Sequence, residues 1–342
     1  MEGRTEVSPP PQGTSVTGPD RNLAMELVRT TEYAALACAR WIGRGDKEGA
    51  DGAAVDAMRM LLDTVSMDGV VVIGEGEKDE APMLYNGEQI GDGSPPQVDI
   101  AVDPLEGTEL CAKGLPNAIA TIALAPRGTM FDPGPCVYMM KMATSRDMAH
   151  LLDLDRPLGE TLRLMAKEKG VPVGDLVVIM LDRPRHEDFM KEIREVGARI
   201  RLIPHGDVSA ALVAVTEGSP VDLLYGIGGT PEGVLAAAAI QCTGGQILGR
   251  LWPRSDEERQ AAVDAGYDLD EALDKDRLVS GRDVFFAATG VTDGEMLDGV
   301  HFAGPGATTE SISMRSRSGT VRQITARHDR TKLREIIGEK LG

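Results

Sequence analysis

Apolar positions change their period along this chain. Leu23, Leu27, Thr30, Ala34, Ala37 and Trp41 share one helical stripe over about residues 20–42, and Asp20 is placed to cap it. Gly43-Arg44-Gly45-Asp46-Lys47 breaks that pattern. Asp51 then heads a second helical segment over 52–62, where an N-cap is its plain role. The runs 69–73 and 98–102 are apolar and short, as buried strands are. Further strands are predicted over 117–125 and 136–143, separated by the turn-rich stretch 126–134.

From about residue 157, strands and helices alternate strictly. Strand 176–181 leads to a helix over 186–196, strand 199–203 to one over 208–216, and strand 221–225 to one over 232–242. Strand 246–248 precedes a charged helix near 255–266, and 284–288 is another strand. Segments 308–315 and 320–328, joined by Ser316-Arg317-Ser318-Gly319, read as a hairpin, and a short basic helix begins near Arg330. The pattern is that of an α/β chain, a layered sandwich with a mixed sheet in its first half and a more parallel one in its second. No internal repeat of solenoid length is visible.

At 342 residues, the chain is long enough for two domains or two lobes of one. Residues 1–20, rich in Pro, Gly, Ser and Thr and without an apolar core, read as a disordered tail rather than a signal peptide. No apolar run reaches the length of a membrane-spanning helix. Gly is plentiful, at 40, and aromatics are scarce, at 4%, so tight loops should be numerous. The net charge of -18 argues against nucleic acid and anionic membranes as partners, and an acidic chain that handles phosphates needs cations and well-placed arginines. Cys38, Cys111, Cys136 and Cys242 form no CxxC pair, which suits a reducing cytoplasm. The five histidines are dispersed, so a metal here would be held by oxygen.

The polar loops share one kind of position. Segments 75–80, 103–108, 182–186, 204–207 and 226–233 each follow a predicted strand, and strand carboxyl ends form the ligand edge of α/β sheets. In Asp103-Pro104-Leu105-Glu106-Gly107-Thr108, two carboxylates flank a proline before a short segment that Gly114 closes. That arrangement suits a hard divalent cation beside amides that can receive a phosphate, and equally a turn whose acids cap the next helix. Arg183 and Arg185 oppose a helix dipole unless an anion sits with them, and otherwise are surface charges. Glu232 reads as an early-turn acid, Tyr138 as a core or edge residue and Cys111 as a small filler. Gly226–Gly229 lacks the GxGxxG spacing of a dinucleotide site.

Gly-Glu-Gly-Glu at 74–77 and Asp-Pro-Leu-Glu-Gly-Thr at 103–108 resemble the metal-binding signatures of the lithium-sensitive, metal-dependent sugar and inositol phosphatases. Arg-Gly-Asp-Lys (44–47), Ala-Asp-Gly-Ala-Ala-Val (50–55), Glu-Ala-Pro-Met-Leu-Tyr (80–85) and Arg-Pro-Arg-His (183–186) narrow the match. Together with Tyr-Gly-Ile-Gly-Gly-Thr-Pro-Glu-Gly (225–233) and Ala-Thr-Gly-Val-Thr-Asp-Gly (288–294), they look like class II, GlpX-type fructose-1,6-bisphosphatase from about residue 20 to about 330.

The resemblance implies the sugar-phosphatase fold, with αβαβα layers, a metal-binding lobe over 21–155 and a sugar-phosphate lobe over 156–342. It implies that Asp51, Glu75, Asp103, Glu106 and Glu232 hold Mn²⁺ or Mg²⁺, with Asp103 bridging two ions. It places substrate on Glu106, Gly107, Thr108, Tyr138, Arg183, Arg185, His205, Gly206, Asp207 and Gly229. Thr108, with Asp79 or Glu77 as its acidic partner, would orient the attacking water. The expected enzyme is a cytoplasmic phosphatase of a small sugar bisphosphate, a homodimer or homotetramer, which removes the 1-phosphate of fructose 1,6-bisphosphate in gluconeogenesis. Sedoheptulose 1,7-bisphosphate is the nearest alternative substrate. An inositol-phosphate phosphatase or a silent sugar-phosphate sensor stands further off, because the paired arginines imply a second phosphate and the ligand set is complete. One departure stands out: His205-Gly206-Asp207 replaces the Asp-Gly-Asp that is usual in the family, removing a carboxylate near the sugar.

Overall fold

In the computed structural model, which describes residues 22–76 and 83–337, the strands sort into two mixed sheets. The first has the order His301–Ala303 (β12), Gly306–Arg315 (β13), Phe285–Gly290 (β11), Ile119–Pro126 (β4), Gln97–Glu106 (β3), Asp68–Ile73 (β1) and Gln89–Ile90 (β2). Thr320–Asp329 (β14) pairs with β13 along its whole length, from Gly306↔Asp329 to Arg315↔Thr320, which is the expected hairpin. Among the described residues, only β1 and β3 run parallel in this sheet.

The second sheet has the order Leu273–Asp274 (β10), Gln246–Leu251 (β9), Tyr138–Thr144 (β5), Leu223–Gly229 (β8), Val177–Leu181 (β6) and Arg199–Ile203 (β7). Here β8, β6 and β7 are parallel and the other ladders antiparallel. The sheets do not divide the chain at residue 155. β5 sits inside the second sheet, and β11–β14 return to the first. Apolar alternation marks a strand as half-buried but does not say which sheet buries it.

The helices supply three layers. Ala24–Cys38 (α1) and Lys47–Leu62 (α2) pack on one face of the first sheet, α1 against β4, β11 and β13 and α2 against β3. Asp207–Val215 (α6) and Thr230–Thr243 (α7) lie between the sheets, α7 touching β3, β4, β11 and β13 on one side and β5, β8 and β9 on the other. Leu158–Lys169 (α4) and Glu187–Val196 (α5) pack with β6 and β8 in a separate apolar cluster on the far face. The layers therefore run αβαβα. Val234-Leu235-Ala236-Ala237-Ala238-Ala239-Ile240 is buried all round, as a helix caught between two sheets must be. A charge at Ala237 would have no water to reach, and would break this layer. Thr108–Lys113 (α3), Asp256–Asp264 (α8), Lys275–Leu278 (α9) and Arg330–Ile337 (α10) are peripheral or short.

Two local expectations change. α2 begins at Lys47, and Asp46 caps it by accepting from the Gly49 amide at 2.8 Å, so Asp51 lies inside the helix and is not its cap. β3 does not stop at residue 102 but continues to Glu106. The tail over 1–20 and the Asp20 cap lie outside the described residues; Asn22 Oδ1 accepts from the Ala24 amide at the start of α1. α4, which the residue pattern did not predict, closes the second sheet's outer face.

Candidate active site

Side chains at i and i+3 on a regular strand point to opposite faces, so Asp103 and Glu106 should not meet. They do meet, because β3 is bulged against β4: Asp103 pairs with Thr121 and Glu106 with Ile119, three steps on one strand against two on the other. The extra residue turns both carboxylates into one cleft of about 550 Å³. Asp51 reaches the same cleft from α2, Glu75 from the loop after β1, and Glu232 from the first turn of α7. Gly107 and Thr108 line it at the start of α3, where Thr108 Oγ1 donates to the Leu105 carbonyl at 3.2 Å. Tyr138, Arg183, Arg185, His205, Gly206, Asp207 and Gly229 form the opposite wall, from loops and strand ends of the second sheet. Glu77 and Asp79 lie outside the described residues.

The acidic wall is electrostatically incomplete. Burial, and then Glu106, Glu75, Glu232 and Asp51, push the Asp103 carboxyl well above the usual carboxylate range. Burial, and then Asp51, raise Glu75 to about 7. Burial raises Glu106 to about 8, although the Val208 amide donates to its Oε1 at 3.1 Å and favours the anion. Burial also raises Asp51 and Glu232, the latter partly offset by Lys141.

Glu106 Oε2 and Glu232 Oε2 are buried with no hydrogen-bond partner. Buried acceptors left unpaired and carboxylates left uncompensated each cost free energy, and a divalent cation would relieve both. The donor set is all oxygen, as a hard cation prefers. Among the described residues, no three such side chains already close on a single point; they ring the cleft.

The basic wall is braced. Arg185 Nε and Nη2 donate to the Ile227 carbonyl at 3.1 and 2.8 Å, and its guanidinium lies 4.9 Å from the Tyr138 ring centroid. Arg254 stacks on the same ring at 5.6 Å. Behind them, buried His186 accepts from the Ile227 amide on Nε2 at 2.8 Å, so Nδ1 carries the proton that goes to the Leu181 carbonyl. Burial lowers the His186 pKa and keeps the ring neutral. Burial, and then Arg183, Lys47 and Lys113, lower His205, which therefore stands on the cationic side. Lys47 also lines the cleft and pairs with Glu109, which pairs in turn with Lys113 at 2.6 Å.

Two features escaped the residue-pattern reading. The stretch Gly226-Ile227-Gly228-Gly229, read from the sequence as a loop after the strand, is part of β8, and its missing side chains make room. A Cβ at Gly228 would collide with Asp207 Oδ2 and Lys141 Cε, and one at Gly229 with the Glu232 carboxylate. The second is Lys141 itself, 2% exposed, whose Nζ donates to the Gly229 carbonyl at 2.8 Å and pairs with Asp207. A lysine inside an otherwise apolar strand was the available signal, since lysine is almost never buried unless paired.

Comparison with known proteins identifies the family of the chain. The profile of the family described as bacterial fructose-1,6-bisphosphatase, glpX-encoded, matches residues 21–328. The chain is 43% identical over 331 residues to the class 2 fructose-1,6-bisphosphatase of Haemophilus influenzae, covering 93% of this chain and 99% of that one. It is 43% identical over 321 residues to the class 2 fructose-1,6-bisphosphatase 1 of Escherichia coli K12, covering 90% and 95%.

Proposed function

The chain belongs to the bacterial glpX-encoded fructose-1,6-bisphosphatases, and on that premise we propose how the residues of its cleft divide the work. The enzyme is a metal-dependent phosphatase. It hydrolyses fructose 1,6-bisphosphate to fructose 6-phosphate and inorganic phosphate, a step of gluconeogenesis. One observation carries the assignment of roles. Five carboxylates from α2, β3, α7 and the loop after β1 face two guanidiniums and a tyrosine across one cleft.

Asp51, Glu75, Asp103, Glu106 and Glu232 would hold Mn²⁺ or Mg²⁺. A divalent cation supplies there a Lewis acid for the phosphoryl oxygens and lets water act as a nucleophile near neutral pH. The Gly107 and Thr108 amides would hold phosphoryl oxygens of the reacting group. The Thr108 hydroxyl would orient the attacking water and help take its proton, with Asp79 or Glu77 as its acidic partner.

Arg183, Arg185 and Tyr138 would bind the phosphate that does not react. Binding energy spent at that end fixes the reacting end in line with the water. Arg185 is suited to this because its guanidinium is already held by the Ile227 carbonyl and the Tyr138 ring, so little ordering remains to be done when substrate arrives. His205, Gly206, Asp207 and Gly229 would contact the sugar.

Cation-holding thus follows the first sheet and phosphate-anchoring the second, with Glu232 as the crossing point. Self-association as a dimer or tetramer belongs to the same reading, supported by the long edge strand β14, whose residues are mostly exposed. Among the described residues, no helix is long and apolar enough to cross a membrane, and the four buried, unbridged cysteines suit the cytoplasm.

The second reading, in which sedoheptulose 1,7-bisphosphate is also a substrate, turns on one departure at the sugar end. His205, where the family usually has a carboxylate, stands among Arg183, Lys47 and Lys113, so the sugar end is less acidic here. The test is phosphate release from fructose 1,6-bisphosphate, sedoheptulose 1,7-bisphosphate and inositol 1-phosphate, with Mn²⁺ or Mg²⁺ supplied. The proposal expects both bisphosphates to exceed inositol 1-phosphate in kcat/KM. An enzyme that prefers inositol 1-phosphate would contradict the distal-phosphate assignment.

A further inference from the structure

Lys141 lies at the centre of β5, in register with Gly226 on β8 and Gly249 on β9, so both strands that flank it have glycine at its level. Its side chain runs past Gly228, where a Cβ would meet Lys141 Cε, to the wall behind the cleft that Asp207 and Gly229 line. There its ammonium meets groups from two different elements. One is the Asp207 carboxylate, at the start of α6 and on the sugar-contacting loop. The other is the Gly229 carbonyl, at the end of β8 and just before the turn that carries Glu232.

Asp207 Oδ2 is paired with Lys141 by charge but accepts no aligned hydrogen bond, so no other group compensates this oxygen. The pair is 2% and 8% exposed. Removing one member of such a pair leaves a buried charge uncompensated, whereas replacing both by neutral groups of similar shape need not destabilise.

We propose that Lys141 is a positioning residue for the reaction: its buried ammonium ties Asp207 to Gly229, and so fixes the sugar-contacting loop relative to the Glu232 cation ligand. The proposal rests on the assignment of cation and sugar roles made above. It explains why position 228 is glycine, since any side chain there would displace the tie.

The test uses three full-length variants, Lys141→Met, Asp207→Asn and the double Lys141→Met/Asp207→Asn. Two readouts are taken: Mn²⁺ affinity without substrate, from the free-Mn²⁺ resonance, and KM and kcat with Mn²⁺ in excess. Folding is checked by circular dichroism and thermal unfolding. For Lys141→Met, Mn²⁺ affinity should fall by roughly 10–100-fold, the scale seen when a group that orients metal ligands is lost, with a rise in KM. The double variant should recover most of the Mn²⁺ affinity while KM stays high, because no unpaired charge then remains but Asp207 is no longer aimed. A merely structural lysine would instead lower the melting temperature and leave the Mn²⁺ affinity and KM of the folded protein unchanged.

If Lys141→Met does not fold, the neutral double variant is read against Asp207→Asn, which already lacks the carboxylate that would contact the sugar: a KM above that of Asp207→Asn supports the tie, and an equal KM overturns it. Lys141→Met with unchanged Mn²⁺ affinity and KM also overturns it. Those failures differ from failure of the site reading itself, in which the wild-type protein would bind no Mn²⁺ and lose no affinity with Glu232→Gln.

Discussion

Glu106 Oε1 accepts the Val208 amide hydrogen at 3.1 Å, so a carboxylate on a strand of the first sheet is fixed by the helix that follows the loop of His205 and Gly206. Its other oxygen is buried and unpartnered. Glu106→Gln keeps the bond to Val208 but removes the charge. Turnover should fall by at least ~10²-fold, because a lost ligand forfeits part of a charge stabilisation of several kcal/mol. Above pH 8 the cation-free variant should melt at a higher temperature than the wild type, since its buried group never ionises. Normal turnover, or a lower melting temperature, would contradict this account of Glu106.

Thr108 donates to the Leu105 carbonyl from the head of α3, with its hydroxyl in the cleft. Thr108→Ala should bind substrate with little change in affinity but turn over at least ~10²-fold more slowly, the scale of losing one proton-transfer group. Isothermal binding measurements with steady-state rates would separate the two. Near-normal turnover would remove Thr108 from the mechanism.

The raised carboxyls predict an unusual pH response without cations. Glu75 and Glu106 ordinarily titrate near 4.5, but in the folded protein at about 7 and about 8. Between those limits the folded state binds more protons than the unfolded one, so stability is full below about 4.5 and is lost as pH rises through 7 to 8. Cations displace those protons, so binding should tighten over the same interval and abolish the loss. Urea unfolding at pH 6 and pH 8, with and without Mn²⁺, checks the sign. A cation-free protein that is more stable at pH 8 would contradict it.

Arg185 is pinned by the Ile227 carbonyl and the Tyr138 ring. Arg185→Ala should raise KM for fructose 1,6-bisphosphate by roughly tenfold or more, as expected for a charge-assisted hydrogen bond of ~1.5–3 kcal/mol. It should leave a substrate with a single phosphate nearly unaffected. An equal effect on both substrates would place Arg185 at the reacting phosphate instead.

Much of the layout was legible because strand ends carry chemistry. Asp103, Arg183, His205 and Gly229 are far apart in the chain, yet each follows or closes a strand, and the sheets bring those ends together. The cap of α2 was not legible, because Asp46 and Asp51 are both good caps and only the helix start chooses between them. Nor was the bulge that unites Asp103 with Glu106, since register belongs to a pair of strands and not to one. Membership of β5 in the second sheet was hidden for the same reason. Lys141 and Gly228 were missed together, as each makes sense only beside the other.

The central claim is that the ring of carboxylates acts through bound divalent cations, and its most direct measurement is metal restoration. Protein stripped by a chelator would be assayed for phosphate release from fructose 1,6-bisphosphate, before and after Mn²⁺ or Mg²⁺ is returned, alongside Asp103→Asn. The account predicts no turnover when stripped, recovery on restoration in the wild type, and none in Asp103→Asn. Turnover that survives stripping, or full recovery by Asp103→Asn, would contradict it.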